Sequence, residues 1–476
     1  MIRAHSVTDV RAAEARLMAQ VPDGALMQRA ATGLAMVCTR LLDSVNRSRV
    51  VLLVGGGDNG GDTLYAGARL ARRGALVRTV LLNPDRVHEA GLAAVLSAGG
   101  RVVDETEAAD EIARSDLVLD GIVGIGGQPG LRPAAQRLAE AASRACALVV
   151  AVDLPSGVDV DTGRTPGPHV TADVTVTFGT HKVCHLVDPA AAACGGLHLV
   201  DIGLGPLLAE PAVEAVEARD VAGMLPAPGR FDDKYSRGVL GLHVGAARYA
   251  GASVLAASAS VSSGMGMLRV LGPESVAARV RDACPQAVLA DGRVQAWLAG
   301  PGMDPDHAQR VVPPLLSSEV PGVLDAGALA AVSGRLRPDV LLTPHAGELA
   351  RLLDTPREQI EADRLGSARR AAATFAATVL LKGATTLVAA PDGRVRANLT
   401  GTPWLATAGS GDVLAGIAGA LLAGGLTAFD AASAAAHVHG RAGRLAASRG
   451  GAPSATDVLD AVPDALLSLR LEESGL

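Results

Sequence analysis

Four residues late in the chain, Gly409-Ser410-Gly411-Asp412, run directly into an apolar, Ala-rich stretch with helical potential. Glycines at a helix start let the backbone approach a ligand closely. The unpaired N–H groups and dipole of that end then hold an anion such as a phosphate. Asp412 falls in the first turn of the same segment. A carboxylate there repels a phosphate, so its use would be chemical: general base on an acceptor hydroxyl, or metal contact. The same four residues would also serve as a plain helix-capping loop. Upstream, Lys382-Gly383-Ala384-Thr385-Thr386 closes an apolar run. It offers a point charge plus hydroxyl donors, a set suited to phosphate, although a strand-end lysine is by itself ordinary.

The first half carries a second group of such residues. Gly55, Gly57 and Gly60 satisfy GxGxxG after an apolar run at 50–54. A dehydrogenase would place an acid at the end of the next strand to hold a ribose. That region reads Leu81-Leu82-Asn83-Pro84, and Asp58 and Asp62 would repel a pyrophosphate in the loop itself. Hydride transfer is therefore disfavoured. Asp153, opening Asp153-Leu154-Pro155-Ser156-Gly157, suits either an acid/base or a turn carboxylate bonding its own backbone. His181, Cys184 and His185 invite a metal reading, but no second ligand cluster lies nearby. The alternation of Val174, Val176 and Phe178 puts them by a strand edge. His345 reads as a structural strand-end residue, and His437 and His439 as packing or solvated on an Ala-rich helix.

These residues need elements to position them. The first forty-five residues read as two helices, the first capped by Ser6 or Thr8. Strands are expected at 50–54, 76–82, 117–119 and 148–152, with a glycine loop at 55–62 and helices at 63–73, 87–98 and 133–145. Further on, strands are expected at 239–244 and 340–342. Alternating strands and helices predict an α/β fold with parallel sheets covered on both faces. Ligands in such sheets sit at the carboxyl ends of strands, where the loops beginning at Gly55, Asp120 and Asp153 fall. An Ala-, Pro- and Glu-rich stretch at 210–230 marks a boundary between domains at 1–215 and 225–476.

The chain has 476 residues, 49% hydrophobic but only 2% aromatic, so its cores must be built from Ala, Val and Leu. A formal charge of −6, with both signs interspersed, leaves no footprint for nucleic acid. Five scattered cysteines without a CxxC pair fit a reducing compartment. The charged start MIRAHSVTDVRAAEAR predicts no export signal. Two uncharged windows, 249–268 and 413–429, are Ala, Gly and Ser rather than Leu and Phe, so they predict buried helices and no membrane span.

The ordered residues Asn398, Thr400-Gly401, Leu405-Ala406, Ala408 to Asp412 and Leu414-Ala415-Gly416 resemble the signature of the ribokinase-like fold. Within it they look most like the ADP- or ATP-dependent NAD(P)H-hydrate dehydratases. In the first half, GDNGGDTLYAGARLA, Asp120 to Gly126 and Val152 to Asp159 resemble the NAD(P)H-hydrate epimerase domain. The resemblance implies a Rossmann-like three-layer domain followed by a ribokinase-like three-layer domain. It implies that Asp58, Asn59, Gly60, Gly61 and Asp62, with Gly124, Ile125, Gly126, Gly127, Gln128, Pro129 and Gly130, hold the hydrated cofactor. Asn59, Asp120 and Ser156 would bind potassium through oxygen, and Asp153 would be the acid/base at the hydrated ring carbon. In the second domain, Ala252, Gly302, His345 and Asp412 would face the substrate, with Asp412 catalytic. Lys382, Gly383, Ala384, Thr385, Thr386, Gly409, Ser410 and Gly411 would hold the nucleotide. The chain departs from the family pattern at Asp58, Thr63, Asp233, Ala246-Ala247 and Gly327, and lacks a second proline after His345.

A fused repair enzyme follows from the resemblance: one domain epimerises hydrated NADH or NADPH, and the other phosphorylates the ring hydroxyl so that phosphate can leave. Magnesium with ADP or ATP would serve the second step, ADP being preferred by resemblance to bacterial relatives of the fused type. A cytoplasmic homo-oligomer acting on small molecules is expected. One rival is a ribokinase-like vitamin or sugar kinase with a non-catalytic N-terminal binding domain. The other uses the first domain as a binding scaffold.

Overall fold

The computed structural model describes residues 1–474. The chain divides into two compact units, one spanning Arg3–Val213 and the other running from Glu214 onward and taking in Met1–Ile2.

The first unit contains β1 (Ile2–His5), α1 (Val7–Met18), α2 (Ala25–Leu41), β2 (Arg49–Val54), α3 (Asp58–Arg72), β3 (Leu76–Leu81), α4 (Glu89–Ser97), β4 (Arg101–Val103), α5 (Glu105–Ala113), β5 (Leu117–Gly121), α6 (Pro133–Arg144), β6 (Leu148–Val152), β7 (Val174–Phe178), β8 (His181–Lys182), α7 (Ala190–Ala193) and β9 (Gly196–Val200). Seven strands form a parallel sheet in the order β4-β3-β2-β5-β6-β7-β9, while β1 pairs in parallel with β8. Side chains alternate between faces along a strand, so a sheet covered twice needs apolar residues at successive positions. Leu52, Leu119 and Val150 pack with Leu34 and Leu64 on one side; Val51, Leu53 and Val118 pack with Ile112 and Leu138 on the other.

Two expectations need correction here. The N-terminal segment is a strand followed by helices, with Ser6 capping α1 through the Asp9 N–H. The glycine loop ends at Gly57, because Asp58 already begins α3. Asn59 to Asp62 are therefore buried helical residues, not an open loop. A Cβ at Gly60 would stand 2.4 Å from the Gly55 carbonyl oxygen, so the turn can close this tightly only on glycine.

The second unit contains β10 (Val213–Ala215), α8 (Ala218–Met224), β11 (Val239–His243), α9 (Ala250–Ser262), β12 (Met267–Leu271), α10 (Glu274–Ala283), β13 (Ala296–Ala299), α11 (Pro305–Ser317), β14 (Gly322–Leu324), β15 (Val340–Leu342), α12 (Ala346–Leu352), α13 (Arg357–Ala362), α14 (Arg364–Phe375), β16 (Thr378–Leu381), β17 (Thr386–Ala389), β18 (Val395–Asn398), α15 (Ser410–Ala423), α16 (Ala428–Ser448), α17 (Ala455–Asp460) and α18 (Val462–Ser474). Its sheet runs β12-β11-β13-β14-β15-β16-β17-β18-β10, parallel from β12 to β16 and antiparallel through β17 and β18. The scarcity of aromatics is met by close approach of small-residue helices. A Cβ at Gly416 on α15 would come within 2.3 Å of the Ala256 carbonyl oxygen on α9. The two uncharged windows become largely α9 and α15, and among the described residues no helix is long and apolar enough to cross a membrane.

Candidate active sites

In the second unit, β16 ends at Leu381 and delivers Lys382 to the carboxyl edge of the sheet. Lys382 is paired with acids at this edge. Its Nζ donates to Asp325 Oδ1 at 2.8 Å and lies 3.7 Å from Glu348 Oε2. Burial opposes its charge, but Asp325 and Glu348 outweigh burial and hold it protonated above the ordinary lysine range. Asp325 also accepts from Thr343 Oγ1 at 2.8 Å. The KGATT loop behind Lys382 is fastened by buried Arg364, whose guanidinium donates to the carbonyls of Leu381, Lys382 and Thr385. Gly383 lies against that guanidinium, Thr385 and Thr386 are buried, and Ala384 stands beside Gly401.

Asp412 sits in the first turn of α15, facing this cluster. Burial, then the charge of Asp325, push its carboxyl up to about 7; Lys382 partly offsets this and Glu348 adds to it. Gly409 caps α15 in the left-handed region at φ 90°. Ser410 N–H bonds to Thr407 O and Val413 N–H to Gly409 O, leaving Gly411 and Asp412 N–H without acceptors among the described residues. A Cβ at Gly411 would lie 3.5 Å from Lys382 Nζ. Free amides, an ammonium and a carboxyl that titrates near neutrality therefore converge at one helix end, an arrangement able to hold a phosphoryl group while deprotonating an alcohol.

The remaining expected residues divide. Ala252 lies in the first turn of α9, which packs on α15, and Gly302 accepts from Ala246 N–H at 2.8 Å, binding its turn to that of α9. His345 caps α12: its Nδ1 accepts from the N–H groups of Gly347 and Glu348, which gives the ring a structural task. His439 is buried rather than solvated and bonds Ser410 Oγ through Nε2 at 3.1 Å. His437 is likewise buried. The motif residues Asn398 and Thr400 tie β18 to α16 through the carbonyls of Ala436 and His437. Asp325 and Glu348 were missed; the signal was their place directly after β14 and in the turn after β15.

In the first unit a cleft of about 280 Å³ is lined by Glu14, Met27, Asp58, Asp62 and Phe178 among others. Asp153 follows β6 in the left-handed region at φ 68°, a strained setting for a residue with a side chain. Its carboxylate makes none of the local turn bonds that a DLPSG capping role would require. Instead Oδ1 accepts from Lys182 Nζ at 2.5 Å, from Thr177 Oγ1 at 3.1 Å and from Phe178 N–H at 3.4 Å. Lys182, buried on β8, carries no motif of its own in the sequence, where His181 and His185 are the conspicuous groups. Burial, then the charges of Asp153, Asp58 and Glu14, raise Asp62 well above the usual carboxylate range, and burial likewise raises Glu14.

Asp120 and Ser156 are bonded to each other, and Asn59 lies against Gly124 of the adjoining loop. Asp120 is fully buried and accepts from Ser156 N–H at 2.8 Å, Ser156 Oγ at 2.7 Å and Ile122 N–H at 3.3 Å. Burial lifts it to about 6 against these neutral donors. Gly124 packs on the Asn59 side chain, whose Nδ2 is buried without a partner among the described residues. The loop from Gly124 through Ile125, Gly126, Gly127, Gln128 and Pro129 to Gly130 is tied down by Val123 N–H on Ser156 Oγ and Gly130 N–H on Gly157 O. Gly126, Gln128 and Pro129 are its exposed members.

Residues 240–464 match the family model for NAD(P)H-hydrate dehydratase, and residues 23–184 match that for the YjeF-related protein N-terminus. The bifunctional NAD(P)H-hydrate repair enzyme Nnr of Mycobacterium leprae is 46% identical over 461 residues, covering 93% of this chain and 94% of that protein. The chain belongs to the bifunctional NAD(P)H-hydrate repair enzyme family. The Mycobacterium tuberculosis enzyme of the same name is 48% identical over 446 residues, covering 90% of this chain and 91% of that protein. Among solved structures, the ADP/ATP-dependent NAD(P)H-hydrate dehydratase of Bacillus subtilis, co-crystallised with ATP/Mg2+, is 28% identical with a TM-score of 0.51, covering 54% of this chain and 99% of that one. Both halves of the family's architecture are thus present, and the Rossmann-like and ribokinase-like folds expected from the sequence are the ones observed.

Proposed function

We propose that this chain repairs hydrated NADH and NADPH, with an epimerase domain over 1–215 and a dehydratase domain over 225–476. The observation that carries the reading is Asp412: a half-buried carboxyl pushed up to about 7 on the first turn of a glycine-capped helix, beside unpaired amides. As carboxylate it takes the proton of the ring hydroxyl while that oxygen attacks the terminal phosphoryl group of a magnesium nucleotide. The amides at 411 and 412 stabilise charge on the moving group. Hydroxide is a poor leaving group and phosphate a good one, so expulsion of phosphate with a ring proton restores the dihydronicotinamide. Lys382 keeps the acid cluster from repelling the nucleotide, and Asp325 holds Lys382 in place. ADP and ATP are both compatible with this site.

In the first unit, Asp153 is the acid/base at the hydrated carbon, with the 58–62 and 124–130 segments holding the cofactor. Asp120 and Ser156 offer oxygens suited to a potassium ion, and Asn59 would join them by presenting Oδ1 where its unpartnered Nδ2 now lies. A hard cation held by Asn59, Asp120 and Ser156 would balance the Asp120 charge beneath the substrate loop. The five cysteines are free, in keeping with a cytoplasmic setting, and a homo-oligomer is expected on light scattering. A vitamin or sugar kinase gives no use for Asp153 and the first unit.

The test follows the reduced nicotinamide chromophore after mixing the chain with hydrated NADH or NADPH and ADP or ATP. Asp412→Asn abolishes nucleotide-dependent recovery and leaves epimerisation intact; Asp153→Asn does the reverse. Loss of both activities in either variant would refute the division of labour.

A further inference from the structure

Lys182 and His185 take no part in the expected chemistry, yet both converge on Asp153. Lys182 is 1% exposed, and its ammonium donates to Asp153 Oδ1, to Thr177 Oγ1 at 2.9 Å and to Phe178 O at 3.1 Å. His185 is 2% exposed. Its Nδ1 lies 3.0 Å from the Lys182 N–H, so Nδ1 accepts and Nε2 carries the proton; Nε2 donates to the Asp153 carbonyl at 3.0 Å. Burial drives this ring down to about 3, keeping it neutral. With both nitrogens engaged it is no metal ligand.

We propose that Lys182 and His185 are positioning residues that clamp Asp153 from two sides, its carboxylate and its carbonyl. Three donors occupy Oδ1, while Oδ2 accepts none among the described residues. The reacting oxygen is thereby singled out. His185 holds the backbone carbonyl of a residue whose φ of 68° would otherwise relax. Asp153 is also faced by Glu14 from α1, by Asp62 from α3, and by Cys184 next to the clamp, with Asp58 acting on Glu14 and Asp62. Among these, Lys182 is the cation in hydrogen-bond contact with its carboxylate. The inference rests on the assignment of Asp153 to epimerisation.

The experiment uses the full chain and measures epimerisation of hydrated NADH from pH 5 to 9 for wild type, Lys182→Met, Lys182→Arg and Thr177→Val. Lys182→Met lowers kcat about 100-fold, leaves KM within about twofold, and moves the acid limb of the profile up by about one to three pH units. Lys182→Arg restores the position of that limb. Thr177→Val, which removes one hydroxyl and conserves shape, moves the limb the same way by less. A folded Lys182→Met whose limb stays at the wild-type pH overturns the clamp, however slow the variant. If Lys182→Met does not melt cooperatively, a Thr177→Val profile superimposed on wild type overturns it instead. A wild-type chain without epimerase activity would count against the assignment of Asp153, a separate failure.

Discussion

Asp412 shows how one carboxyl links activity to stability. Dehydration needs its ionised form, so the rate should climb as pH rises through about 7, and the checked quantity is kcat against pH. Stability runs the other way. A carboxyl raised in the folded state binds its proton more tightly than in the unfolded chain, so it destabilises progressively as pH rises from the ordinary carboxylate range through about 7. Asp412→Asn removes that ionisation. At pH 8 the second unit of this variant should be more stable than wild type by roughly 1–4 kcal/mol, a difference that vanishes near pH 4. Equal denaturation midpoints at pH 8 would show that the carboxylate carries no such penalty.

At the scale of elements, α15 depends on its first residue before the helix. Gly409 has φ 90°, and a Cβ there would stand 2.6 Å from Leu255 Cδ1 on α9. Gly409→Ala should cost about 1–3 kcal/mol and tilt the free amides, raising the KM for nucleotide about 10-fold or more with the epimerase unaffected. Urea denaturation and nucleotide-dependent kinetics measure the two effects. The signature around this helix was legible because glycine, small residues and a first-turn acid are local requirements. Its partners were not. Asn398 and Thr400 carry the family signature in the sequence, and their side chains brace β18 on α16.

At the scale of the whole molecule, each unit has its own hydrophobic core and carries one of the two proposed reactive acids. Nucleotide binding should therefore stabilise only the unit that carries α15. In calorimetry, magnesium ADP at about 100 times Kd should raise that unit's transition by about 2.7 kcal/mol of stability and leave the other in place. A shift of both transitions would mean that the nucleotide is sensed by the first unit as well.

The sequence by itself determined the layered α/β architecture, through its periodicity, and the family, through the ordered motifs around Asp153 and Asp412, because both signals lie in residues close together in the chain. The tertiary structure alone decided which charges meet. Lys182 lies 29 positions from Asp153, and Lys382 lies 57 positions from Asp325, yet each pair is in hydrogen-bond contact. Strand order brings such partners to one edge of a sheet, and no local spacing encodes that meeting. For the same reason the pairing of Lys382 with Asp325 and Glu348, and the capping of α12 by His345, came into view only with the fold.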